Sequence, residues 1–111
     1  MKKTVALRQN HEFRSLYYKG GSKASGLLVV YFKKNRYGQS RLGITVSKKV
    51  GNAVTRNRVR RLIKENYRLM ESEIRDGYDI VVVARSRMAT SDFHASGASL
   101  RTLLGKCGLL A

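Results

Sequence analysis

Ser47-Lys48-Lys49-Val50-Gly51-Asn52-Ala53-Val54-Thr55-Arg56-Asn57-Arg58-Val59-Arg60-Arg61-Leu62-Ile63-Lys64-Glu65 is the stretch on which the rest of the chain is organised. Placed on a helix at 100° per residue, Val59, Leu62, Ile63, Tyr67, Met70 and Ile74 gather on one side. Arg56, Asn57, Arg60, Arg61, Lys64 and Arg68 gather on the other. That is an amphipathic helix with a polar face of one sign. Arg56, Arg60 and Lys64 follow at spacing four with no acid between them. Like charges at that spacing repel, and a face built only for solubility mixes signs. The pattern makes sense against a polyanion, because arginine grips phosphate oxygens bidentately and lysine acts as a point charge. The helix is expected from about Thr55 to Ile74, stopped by Asp76-Gly77.

On the N-terminal side of this helix, Arg41 to Ser47 reads as a strand. Leu42, Ile44 and Val46 form an apolar face, and Gly43, Thr45 and Ser47 a small, polar one that leaves room for something to lie on the sheet. Before it, Leu27-Leu28-Val29-Val30-Tyr31-Phe32 is a second strand, joined through a basic hairpin loop at Lys33–Ser40. A short extended piece is expected at Lys23–Ser25. Asn10 suits a helix N-cap, and Phe13, Leu16 and Tyr17 at i, i+3 and i+4 make a short helix ended by Gly20-Gly21. Residues 1–9 read as a loosely held basic arm. Past the long helix, Asp79–Arg85 is the most apolar strand and is expected at the centre of the sheet. Ser86–Ser91 reads as a polar loop, and Phe93, Leu100, Leu103 and Leu104 mark a last helix. The order αβββαβα makes an α/β (α+β) two-layer sandwich, and the 111 residues make one domain. The strand–helix–strand unit over residues 41–85 would ordinarily cross over right-handedly.

The chain has 23 basic and 7 acidic residues, a net charge of +16. So large an excess implies a polyanionic partner, nucleic acid first and an anionic membrane second. The charge is segregated: no Asp or Glu lies between Phe13 and Lys64, and five acids cluster between Glu65 and Asp79. Apolar residues at 42% argue against disorder. The single cysteine, Cys107, excludes an internal disulfide and a cysteine-based zinc site. No apolar run is long enough for a membrane span or a signal-peptide core, so the protein is expected in the cytoplasm.

No catalytic constellation is visible. His11 and His94 could in principle form an acid–base pair for RNA cleavage, but neither sits in a recognisable motif. The carboxylates do not form the pairs that hold two catalytic metals, and phosphate-binding glycine loops are absent. The residues alone read as a basic nucleic-acid-binding domain. Composition alone favours a structural RNA binder such as a ribosomal protein, because small basic α/β domains are common there. A DNA-reading helix-turn-helix is disfavoured, because no short helix precedes the long one at the right spacing.

Lys48-Lys49-Val50-Gly51-Asn52-Ala53-Val54-x-Arg56-Asn57-Arg58-Val59-x-Arg61-Leu62 resembles the signature of the bacterial ribonuclease P protein subunit, with its Arg-Asn-Arg motif at 56–58. Asn10-x-x-Phe13-x-x-x-Tyr17-x-x-Gly20 resembles the family's first helix, and residues 27–47 and 79–85 its strands. The resemblance covers essentially the whole chain. It implies a left-handed crossover at residues 41–85, the reverse of the ordinary hand. It also implies a role: assisting an RNA subunit that removes the 5′ leader of precursor tRNA using Mg2+ bound mainly by that RNA, one protein per RNA, with no catalytic residue in this chain. Residues that match the family pattern are expected to contact RNA: Lys48, Lys49, Asn52, Arg56, Asn57, Arg58, Arg60, Arg61, Lys64 and Arg68. Phe13, Tyr17 and Tyr31 are expected to line a cleft for the leader, although the family more often has Phe at the position of Tyr17. Aromatic faces stack on unpaired bases without choosing among them.

Overall fold

The computed structural model describes residues 3–111. One mixed five-stranded sheet runs through it in the order β1-β4-β5-β3-β2. The elements are β1 (Thr4–Ala6), α1 (Asn10–Lys19), β2 (Gly21–Ala24), β3 (Leu28–Lys34), β4 (Ser40–Thr45), α2 (Ala53–Met70), β5 (Tyr78–Ala84) and α3 (Phe93–Lys106). β5 is central, as its unbroken apolar run requires. It pairs parallel with β4 (Arg41 opposite Asp79, Thr45 opposite Val83) and antiparallel with β3 (Leu28 opposite Ala84).

Alternation along the strands decides what covers each face. Leu28, Val30, Leu42, Ile80 and Val82 point to one side, where Val59, Ile63, Tyr67 and Met70 of α2 and Leu100, Leu103 and Leu104 of α3 complete the main core. Each such side chain, fully buried, contributes roughly 1.5–3 kcal/mol. These are the two layers of the sandwich. The other face presents Tyr31, Val81 and Val83. There α1 lies across the sheet through Leu16 and Phe13, with Leu7 beside them, in a smaller cluster.

Several boundaries differ from the sequence expectation. Thr4–Ala6, expected in a loose arm, is an edge strand parallel to β4; Met1 and Lys2 of that arm lie outside the described residues. A three-residue strand carries no periodicity of its own, and its order comes from β4 and from the hydroxyl contact of Thr4 with buried Tyr67 (3.3 Å). Gln9, not Asn10, caps α1, and its N–H donates to Glu12 Oε1 at 3.2 Å. α2 starts two residues early because Asn52 caps it, the Asn52 Oδ1 accepting from the Thr55 N–H at 2.9 Å. It also ends at Met70 rather than Ile74: the chain tightens into a 3-10 turn at Glu71–Glu73, and Ile74 stays buried by bridging to Leu110. Last, Ser86–Thr90 is a 3-10 turn that buries Met88, not an open polar loop.

Candidate nucleic-acid interface

The polar face of α2 splits into groups with different surroundings. Arg60, Arg61, Lys64 and Asn57 are exposed. Arg60 is held ready: its Nη1 donates to Asn57 Oδ1 at 3.2 Å and its Nη2 reaches the Val46 carbonyl at 3.5 Å. Arg56 is half-buried, and its Nε has no hydrogen-bond partner among the described residues. Lys48 and Lys49 project from the exposed turn ahead of the helix. Asn52 spends its carbonyl on the cap, which leaves its amide NH2 free to donate. Arg68 forks onto Glu65, with Nε to Oε2 at 3.0 Å and Nη2 to Oε1 at 2.5 Å, and those bonds hold the Glu65 carboxyl below its usual range.

Arg58 is turned away from that stripe. Its guanidinium donates to the Ala89 and Ser91 carbonyls and fastens the turn after β5 onto α2. Within the Arg-Asn-Arg triplet, then, Arg58 is bound into the protein, Asn57 orients Arg60, and Arg56 is half-buried at the helix start.

Across the sheet, α1 and β4 form a groove. Phe13 lies on Gly43 so closely that a Cβ there would come within 2.5 Å of the ring. Tyr17, 39% exposed, bonds Thr45 Oγ1 through its hydroxyl at 3.2 Å. Asn10, Phe13, Arg14, Tyr17 and Thr45 line one part, a volume of about 470 Å3. Val5, Leu7, Phe13, Gly43, Ile44 and Lys64 are among the walls of the adjoining part, about 340 Å3. Lys64 thus reaches from α2 around the edge of β4, where β1 ends, into the groove on the opposite face. Tyr31 lies behind this surface. It is half-buried, packs into the small cluster, and meets Tyr17 edge-on with ring centroids 4.8 Å apart. Phe13 and Tyr17 line the groove, while Tyr31 supports Tyr17.

Sequence reasoning did not find Arg41. Its side chain, 18% exposed, donates to Glu12 of α1 and forks onto Asp79 of β5 (Nη2 to Oδ2 2.7 Å, Nε to Oδ1 2.8 Å). These bonds fix how α1 sits over the sheet, and so the width of the groove. Bonding to Asp79, with Glu12 adding to it, raises the already high guanidinium pKa. The one available signal was that Glu12 is the only acid in the first 64 residues. Arg14, also missed, flanks the groove on the face of α1 that carries Asn10 and Tyr17.

The carboxylates are engaged elsewhere. Glu12 and Asp79 hold Arg41, Glu65 holds Arg68, Glu73 holds Arg101, and Asp76 faces Lys3. Among the described residues no three His, Cys, Asp or Glu side chains converge as a metal site. Cys107 is half-buried, and burial pushes its thiol up to about 11, the opposite of an activated nucleophile.

The family model described as Ribonuclease P matches residues 1–108. A Ribonuclease P protein component from Clostridium botulinum (strain Loch Maree) is 48% identical over 104 residues, covering 93% of this chain and 94% of the relative. Among solved structures, the Staphylococcus aureus RNase P protein superposes with a TM-score of 0.89 at 36% identity, over 96% of this chain and 98% of that one. The Thermotoga maritima RNase P protein gives 0.83 at 34% identity, over 91% and 96%. With a full-length sequence match and the same fold, this chain belongs to the ribonuclease P protein component family, the protein part of an endoribonuclease holoenzyme.

Proposed function

We propose that the chain acts as one domain gripping two RNAs at once, the catalytic RNA subunit of ribonuclease P and the 5′ leader of precursor tRNA. Lys48, Lys49, Asn52, Arg56, Arg60, Arg61 and Lys64 meet RNA phosphates. Asn57 orients Arg60, Arg58 is bound to the protein's own carbonyls, and Arg68 stands beside them in an exposed pair with Glu65. Phe13, whose ring covers Gly43, and Tyr17 offer ring faces to unpaired leader bases beside Thr45. One protein serves one RNA subunit, in the cytoplasm. Magnesium is held by the RNA, and this chain contributes charge neutralisation and positioning of the substrate.

The observation that carries the reading is the continuity of the basic stripe with the aromatic groove: Lys64 of α2 and Phe13 of α1 wall the same depression at the edge of β4. A strand lying there has phosphate-binding groups on one side and ring faces on the other, as sequence-tolerant binding of single strands requires.

The test is a pair of dissociation constants for the reconstituted holoenzyme, with precursor and with mature tRNA. Tyr17→Ala should weaken precursor binding by the ~1–3 kcal/mol of one stacked base and leave mature tRNA binding unchanged. Equal losses for both RNAs would assign Tyr17 to the fold or to the RNA subunit and overturn its place in the leader site.

A further inference from the structure

α1 divides its face of the sheet into two grooves, and only one has a role so far. The second, about 590 Å3, lies on the other flank of the helix, between α1 and the β3–β4 hairpin. Lys33, Lys34 and Arg36 stand exposed around it, and none forms an ion pair among the described residues. Two carboxylates, Glu12 and Asp79, also line it, but Arg41 already occupies both, so the surplus charge is positive. Tyr37 is 68% exposed at the hairpin tip. The Arg41 guanidinium lies 4.5 Å from its ring centroid, which covers one face of the ring and leaves the other to solvent.

The hairpin is built to hold this arrangement. The Asn35 side chain accepts from the Tyr37 N–H at 3.0 Å and donates to the Gln39 carbonyl and to Asp79 Oδ1, each at 2.9 Å. Gly38 takes a φ of +69°, which favours glycine. Lys33 Nζ bridges to Ser15 of α1 at 3.3 Å. A large aromatic ring kept exposed on a fixed hairpin, ringed by unpaired cations, is the combination that binds single-stranded nucleic acid: phosphates to the cations, a base on the open ring.

Resting on the leader reading above, we propose that this second groove binds the upstream part of a long 5′ leader, after the strand has passed the N-terminus of α1. Both grooves reach the N-terminal turn of α1, where Asn10 lines the first and its neighbour His11 the second. A strand leaving the first groove past Asn10 therefore meets Lys33, Lys34, Arg36 and Tyr37 next. The second groove lies on the flank of α1 away from the β4 edge and Lys64, so continuity with the first groove favours the leader over the catalytic RNA as its occupant.

The experiment uses the reconstituted holoenzyme and three substrates: mature tRNA, a precursor with a leader only long enough for the first groove, and one with a leader several times longer. The Lys34→Ala/Arg36→Ala double variant should lower the salt slope of long-leader binding by about 1.4, at 0.7 per phosphate for a single strand. The slopes for the other two substrates should stay as in wild type. Tyr37→Ala should weaken long-leader binding roughly 5-fold or more, as loss of one stacked base does, without touching the short leader. Equal losses for all three RNAs would place the groove against the catalytic RNA, and unchanged long-leader binding in both variants would leave it without RNA; either result overturns the proposal. The leader reading itself is judged separately, by whether wild type prefers the short-leader precursor to mature tRNA.

Discussion

Replacing Arg41 by Met keeps most of the side-chain volume and removes the charge that joins α1 to the sheet. The side chains of Arg41, Glu12 and Asp79 are 18%, 16% and 13% exposed, so the cluster is nearly but not fully out of water. Removing one partner of a buried pair costs about 3–5 kcal/mol, and an exposed pair is worth about 0–1 kcal/mol. Asp79 keeps its bond from Asn35 at 2.9 Å, which lowers the penalty, so a loss of about 2–4 kcal/mol is expected. For a chain of this length that is roughly a 9–17 °C fall in Tm. The loss should also depend on pH. Burial alone would raise the Asp79 carboxyl, but bonds from Arg41 and Asn35 outweigh it and hold the carboxyl below its ordinary value. A depressed folded pKa stabilises above the unfolded value near ~4 and is lost as pH falls through the folded value. In Arg41→Met burial is no longer outweighed to the same degree, so the carboxyl is protonated more readily in the folded state. The gap between wild type and variant should be widest at pH 7 and shrink below about pH 4. Urea unfolding followed by circular dichroism at several pH values measures it. A gap below ~0.5 kcal/mol, or one equal at both ends of that range, would refute the account of Arg41 as the clamp on α1.

Arg60→Ala should reduce the salt slope of binding to the catalytic RNA by about 0.7–0.9, whereas Arg58→Ala should leave the slope alone and cost about 1–3 kcal/mol of stability through its two carbonyl bonds; paired salt titrations and urea melts separate them. Gly43→Ala brings a methyl group to within 2.5 Å of the Phe13 ring, so it should displace Phe13 and weaken precursor binding more than mature tRNA binding, read as a ratio of dissociation constants. Tyr67→Phe should cost about 1 kcal/mol by leaving Thr4 without its hydroxyl partner, and hydrogen exchange should show β1 opening more readily than β4.

The local sequence determined the elements and the kind of partner. Periodicity near 3.6 and the one-signed polar face of residues 56–68 fixed α2 and its unbroken basic stripe, because both are properties of residues within a few turns of each other. Alternation in residues 41–47 fixed which side of β4 is small, and Phe13 and Tyr17 do pack against Gly43 and Thr45 there. The Gly-Asn-Ala and Arg-Asn-Arg spacing fixed the family. Tertiary structure decided what depended on distant partners. Thr4–Ala6 is a strand only because β4 offers it a ladder and Tyr67 a hydroxyl. Arg58 looks like its basic neighbours in the sequence, yet the turn after β5 supplies the carbonyls that claim it. Tyr31 alternates onto the groove side of β3 as expected, but α1 crosses above it and covers it. Arg41 is one cation among 23 until the fold brings Glu12 from α1 and Asp79 from β5 to either side of it. Spacing along a chain records which face a residue takes, and only the packing of separate elements determines whether a charge on that face is already paired or still free to meet RNA.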